Sequence, residues 1–263
     1  MRRITASLTA LLAATALLSG CGGDDDSGTS GSSSAADSSV TGTINVFAAA
    51  SLQDAFTTLG KQFEAANEGT KVVFNFGPSS GLAEQIGQGA PADVFASAST
   101  STMDEVVTGG DAADPTNFVA NTMQIAVPPD NPAGIADVDD LAKKGVKVAL
   151  CQADVPCGAS ALTVFENAGI EVTPVTEEID VKATLSKVTL GEVDAGVVYV
   201  TDVLAAGDSV KGIEIPADVN ASTMYPIATL TSSENQETAR AFFDYVLSPD
   251  GAGVLTEAGF SKP

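Results

Sequence analysis

The chain has 263 residues, 34 acidic and 12 basic, for a formal charge of −22, and contains neither histidine nor tryptophan. That acidity argues against nucleic acid or an anionic membrane surface as a partner, because both are recognised through basic patches. Without histidine the chain lacks the commonest general base, the usual Ser–His or Cys–His activation of a nucleophile, and the commonest metal ligand.

Arg2 and Arg3 precede an apolar run from Leu8 to Leu18 that is too short to span a bilayer as a stable helix, so the N-terminus reads as a targeting segment. The run ends in Leu18-Ser19-Gly20-Cys21. This ending resembles the lipobox of bacterial lipoproteins, which implies a signal peptide over 1–20 and lipidation of Cys21. Acyl chains at Cys21 would anchor the protein to the outer face of the cell membrane. The stretch 21–42, with Asp24-Asp25-Asp26 and a Ser/Gly-rich tract, reads as a flexible tether.

From Thr43 onward strands and helices alternate. Ile44 to Ala50 is an apolar run suited to a strand covered on both faces. Leu52, Ala55, Phe56, Leu59 and Phe63 then fall at helical spacing. Ser51 stands where an N-cap belongs, with Asp54 as a capping-box partner. Lys71 to Phe76 is the next strand; it ends at Gly77-Pro78-Ser79-Ser80-Gly81, and a helix carrying Leu82, Ala83 and Ile86 follows. The two glycines permit close backbone approach to a ligand.

Val94-Phe95-Ala96 is a short strand, Thr102 to Thr108 a helix, Phe118 to Val127 a long strand, Asp137 to Lys143 a short helix, and Val146 to Leu150 a strand. A turn through Cys151 and Val155-Pro156-Cys157-Gly158 enters a helix with Leu162, Val164 and Phe165. Glu177-Glu178 reads as a helix-end charge cluster. Asp180 is an N-cap, which leaves the first N–H groups near Val181 unpaired ahead of a helix with Leu185, Val188 and Leu190. A buried strand ends at Tyr199, another covers Tyr225 to Leu230, and helices over about 234–247 and 249–258 close the chain.

Such alternation gives an α/β fold with mostly parallel sheets, in which ligands bind beyond the carboxyl ends of the strands. The candidates at those ends are Ser51, Ser79 or Ser80, the turn at Cys157, the helix start at Val181, and Tyr199. All are neutral, offering hydroxyl and backbone N–H donors. If they converge, they suit a small, fully ionised oxyanion that only accepts hydrogen bonds. A protonated phosphate would leave its O–H unpaired at a cost of about 1–3 kcal/mol, so molybdate, tungstate or sulfate is favoured.

The blocks Val46-Phe47-Ala48-Ala49-Ala50-Ser51-Leu52, Ser79-Ser80-Gly81-Leu82-Ala83, Gly89-Ala90-Pro91-Ala92-Asp93-Val94-Phe95, Val155-Pro156-Cys157-Gly158, Gly196-Val197-Val198-Tyr199 and Tyr225-Pro226-Ile227-Ala228 resemble those of the molybdate-binding proteins of ABC transporters, within the type II periplasmic-binding-protein superfamily. The resemblance runs from Thr43 to the C-terminus. It implies two α/β lobes, each a mostly parallel sheet flanked by helices, with the ligand cleft between them: residues 43–121 with 226–263, and residues 122–225.

By motif it places molybdate on Ser51, on Ser79 with Ser80 as the alternative, on the backbone donors of Cys157 and Val181, and on the Tyr199 hydroxyl, the metal being bound only as the oxyanion. Relatives often carry Ala where Cys157 stands, and a backbone donor survives that change. Cys151 and Cys157 face an oxidising exterior if the lipobox reading holds, and a disulfide between them is expected.

The expected function is an extracytoplasmic, lipid-anchored, monomeric receptor without cofactors that captures molybdate, and tungstate, and delivers it to an ABC permease and its ATPase. A sulfate or other oxyanion receptor is the nearest alternative, and an extracellular enzyme on the same fold the more distant one.

Overall fold

A computed structural model describes residues 40–263. The targeting segment, Cys21 and most of the tether lie outside the described residues.

The elements follow in the order β1 (Gly42–Ala49), α1 (Gln53–Ala66), β2 (Thr70–Gly77), α2 (Ser79–Gly87), β3 (Val94–Ala96), α3 (Thr100–Thr108), β4 (Thr116–Val127), β5 (Val148–Cys151), α4 (Pro156–Ala168), β6 (Thr176–Glu178), α5 (Val181–Thr189), β7 (Ala195–Tyr199), α6 (Val200–Ala206), β8 (Lys211–Glu214), β9 (Ser222–Thr229), α7 (Gln236–Leu247) and α8 (Pro249–Glu257). The strands run β2-β1-β3-β9-β4-β7-β5-β6, with β8 also on β4.

The two ends of this curled sheet are parallel: β1 pairs with β2 and β3, and β5 with β6 and β7. The middle is antiparallel: β9 pairs with β3 and β4, and β4 with β7 and β8. Residues Thr116–Thr122 of β4 pair with β9, whereas Met123–Val127 pair with β7 and β8. At this change of partner the Asn220 side chain accepts from the Met123 N–H at 3.0 Å and donates to the Met123 carbonyl at 2.9 Å.

The apolar residues separate accordingly. Ile44, Val46, Leu52, Phe56, Phe63 and Phe242 share one cluster, while Ile125, Val148, Val164, Val181, Leu185 and Val197 share another. Side chains alternate along β1: Ile44, Val46 and Ala48 face α1 and α7, and Phe47 points into a third cluster with Leu82 and Phe95. Phe63 and Phe242 meet edge-to-face at 5.3 Å, tying α1 to α7. Val40, in the stretch read as tether, packs against the same cluster.

Several local expectations change. Ser51 does not cap α1; it lies inside a 3-10 turn, Ala50–Leu52, and no side-chain cap is formed there. Asp54 therefore has no capping-box partner, and its carboxylate pairs with Lys182 instead. Glu177 and Glu178 belong to β6, held in the sheet by β5, and are not a helix end. Leu162 and Leu190 are exposed, the latter because α5 has already ended. The short segments α6 and β8 carry too few residues to show a period in the sequence.

Candidate functional site

Six strand-to-helix junctions converge on one cavity. It is lined by Ala49, Ala50 and Ser51 at the end of β1 and just beyond it, by Gly77, Pro78 and Ser79 at the end of β2 and just beyond it, by Ala98 between β3 and α3, by Val155, Pro156 and Cys157 before and within α4, by Asp180 and Val181 at the start of α5, and by Tyr199 at the end of β7. The atom-free space there, open solvent at its mouth included, is about 230 Å³. Ser51, Ser79, Cys157, Val181 and Tyr199 are all brought together here; Ser80 does not line the cavity.

Each lining residue is set by its own chain geometry. Pro78 is the extended N-cap of α2 (ψ 131°), which makes Ser79 the first helical residue. Ser79 is buried, and its Oγ accepts the Ala98 N–H at 3.0 Å. Ser51 is also buried, with its Oγ 2.9 Å from the hydroxyl of Tyr225. Pro156 opens α4, where its missing N–H costs nothing.

Cys157 is disulfide-bonded to Cys151 at the end of β5, with Cα atoms 5.8 Å apart. Gly158 follows, and a Cβ there would lie 1.8 Å from the Gln152 carbonyl oxygen. No other residue type allows the turn from β5 to pass so close to α4. Asp180 caps α5 by accepting the Ala183 N–H at 2.9 Å, which turns the one charged lining residue toward its own helix.

Tyr199 ends β7 and is the N-cap of α6; its N–H donates to Asp202 Oδ2 at 3.2 Å. Its hydroxyl is fully buried and has no hydrogen-bond partner among the described residues. Leaving a buried polar group unpaired costs about 1–3 kcal/mol. Burial pushes the Tyr199 hydroxyl pKa up, opposed by the neighbouring Ser160 and Tyr225 hydroxyls, neither of which makes a hydrogen bond to it, so at neutral pH the group is a protonated donor. Burial likewise raises Tyr225.

The cavity therefore has hydroxyls, the first-turn N–H groups of α2, α4 and α5, and no cation among the described residues of its wall. Helix N-termini carry partial positive charge and favour anions. Among the described groups around Ser51, the hydrogen-bond partner is a tyrosine hydroxyl, which is no base at neutral pH.

Behind this wall lies a charged group that sequence reasoning missed. Asp202 is fully buried, and Lys182 Nζ stands 3.3 Å from its Oδ1 and 2.7 Å from Asp54 Oδ2. Burial pushes the Asp202 pKa up to about 6, opposed by the Lys182 charge and the Tyr199 N–H. Burial works against the Lys182 ammonium, but Asp202 and Asp54 outweigh it and hold its pKa above the ordinary value. One signal was available: Asp202 stands three residues after Tyr199, the spacing at which an N3 carboxylate reaches back to its N-cap. The link from Tyr225 to Ser51 had no such sign.

The chain matches the family of bacterial extracellular solute-binding proteins over residues 44–261. It is 44% identical over 221 residues to the molybdate-binding protein ModA of Mycobacterium tuberculosis, covering 84% of this chain and 85% of the relative. Among solved structures, the periplasmic molybdate-binding protein of Azotobacter vinelandii superposes with a TM-score of 0.74 at 20% identity, over 84% of this chain and 99% of that one. The sulfate-binding protein SubI of Mycobacterium tuberculosis superposes with a TM-score of 0.73 at 17% identity, over 84% and 86%. At those identities the two structures speak for the fold alone. On the extent of the family match and the 44% relative, this chain belongs to the bacterial extracellular solute-binding proteins and has their two-lobed type II periplasmic-binding fold.

Proposed function

We propose that the protein is the substrate-binding component of an ABC transporter, not an enzyme, and that it captures molybdate, and tungstate, in the cavity lined by Ser51, Ser79, Cys157, Val181 and Tyr199. One observation carries the reading: among the described residues the fully buried Tyr199 hydroxyl has no hydrogen-bond partner, and the cavity ringed by helix N-termini has no cation in its wall. A dianion that accepts hydrogen bonds at every oxygen supplies the missing partner and needs no acceptor from the wall. The 44% identity to a molybdate-binding protein points the same way.

The ligand would be held by the hydroxyls of Ser51, Ser79 and Tyr199 and by the N–H groups at Cys157 and Val181. Binding joins the two lobes, which we place at 43–121 with 226–263 and at 122–225, in line with the change of partner along β4. The loaded protein, a monomer anchored through Cys21 on the outer face of the membrane, would then deliver the anion to a permease and its ATPase.

Thermal unfolding in separate titrations with molybdate, tungstate, sulfate and phosphate tests this. A ligand at about a hundred times its dissociation constant adds roughly 2.7 kcal/mol. A rise in melting temperature with molybdate and tungstate, and none with sulfate or phosphate, is the expected result. A rise with sulfate alone makes the protein a sulfate receptor, and no rise with any anion overturns the proposal.

A further inference from the structure

Beyond the donors themselves, the geometry points to Lys182 as a strap that holds the two lobes together at the rim of the cavity. Asp54 lies on α1, whose apolar face (Ala55, Phe56, Leu59) belongs to one core cluster. Lys182 lies on α5, whose apolar face (Val181, Leu185, Val188) belongs to the other. The 2.7 Å contact from Lys182 Nζ to Asp54 Oδ2 thus spans two separately packed bodies, 128 residues apart in the chain. If α1 and α5 move apart, it breaks.

The other end of the strap is fixed. Asp202 is fully buried on α6, in the same body as α5, and holds the ammonium at 3.3 Å. The side chain of Lys182 is 25% exposed and that of Asp54 60% exposed, so only the Asp54 side is easily rehydrated. A buried carboxylate left without its cation is strongly unfavourable, which keeps Lys182 on Asp202 whether or not Asp54 is near. The lysine is thereby preorganised as an arm that catches Asp54 on closure.

Lys182 also follows Val181, the first residue of α5 at the cavity. The strap therefore fixes the start of that helix against the Ser51 turn, three residues before Asp54. Lys182 is a positioning residue and not itself a ligand-binding group.

The test compares the wild-type protein with Asp54→Asn, Asp54→Glu and the paired change Lys182→Met with Asp202→Asn, which removes the strap without stranding a buried carboxylate. In the absence of ligand, small-angle scattering at about 20 mM salt, where surface charges are weakly screened, is expected to give a larger radius of gyration for D54N and for the paired variant than for wild type or D54E. An unchanged radius in both variants overturns the strap, whatever the ligand.

The second arm rests on the oxyanion reading. Calorimetric titration with molybdate is expected to show D54N binding about two- to fivefold more weakly than wild type at low salt. Wild type and D54E should lose affinity between about 20 mM and about 500 mM salt, and D54N should not. Equal affinity and equal salt dependence in wild type and D54N overturn the role in capture. Wild type that binds no molybdate while D54N still expands overturns the oxyanion reading and leaves the strap standing.

Discussion

The hydroxyls of Ser51 and Tyr225 lie 2.9 Å apart although 174 residues separate them. The contact sets the rotamer of Ser51, because the 3-10 turn that carries it supplies no side-chain cap. Tyr225 is fully buried on β9, so it stands as a fixed post behind the Ser51 hydroxyl, the group proposed to donate to the ligand.

Two substitutions separate the donor from its post. Ser51→Ala removes a direct donor and is expected to weaken molybdate binding by about tenfold to a hundredfold, the equivalent of 1–3 kcal/mol. Tyr225→Phe leaves the serine hydroxyl in place but free to rotate, and is expected to cost less, about two- to tenfold. Isothermal titration of both variants checks the order. Equal losses would mean that Ser51 acts only through Tyr225.

Tyr199→Phe has opposite effects with and without ligand. Without ligand the variant loses a buried hydroxyl that lacks a partner, so its melting temperature is expected to equal or exceed that of wild type. With molybdate it loses a donor, so the ligand-induced rise in melting temperature shrinks. A large loss of stability in the ligand-free variant would show that the hydroxyl is already satisfied.

Asp202 predicts a pH dependence. Its pKa stands at about 6 in the folded protein against an ordinary 3.8, because burial disfavours its charge. The folded state then binds the proton more tightly than the unfolded chain. This group's contribution to stability is greatest at low pH and is lost as pH rises through the window from 3.8 to about 6. The rise corresponds to at most about 3 kcal/mol. Denaturant unfolding of wild type and Asp202→Asn at several pH values is expected to show the balance moving toward the variant across that window, then staying constant. A constant difference throughout would mean that the Asp202 carboxyl is not raised.

Gly158→Ala tests the turn that carries Cys157. The added methyl would sit 1.8 Å from the Gln152 carbonyl oxygen, a backbone atom that no rotamer change can clear. The expected cost is about 3 kcal/mol or more, a fall in melting temperature of the order of 10 °C for a chain of this size. Scanning calorimetry measures it. A fall of only a degree or two would show that the turn can move away from α4.

Much of this molecule was legible without coordinates, because the signals involved are local. The run Ile44 to Ala50, the spacing of Ala55, Phe56, Leu59 and Phe63, and Asp180 at an N-cap each depend on residues within a few positions of one another. Strand, helix and junction follow from backbone periods of two and 3.6. The resemblance of the junction blocks to molybdate-binding proteins added the residues to be gathered around the anion.

The choice between Ser79 and Ser80 was not local in that sense. Neighbours on a helix point about 100° apart, and the entry angle set by Pro78 decides which one faces inward. Nor could the sequence foretell that Tyr225 would stand behind Ser51, that β4 would change partners between Thr122 and Met123, or that Asp54 would leave its own helix cap for Lys182. Those pairings join residues far apart in the chain, so they arise only from tertiary packing, within one core for Ser51 and Tyr225 and across two cores for Asp54 and Lys182.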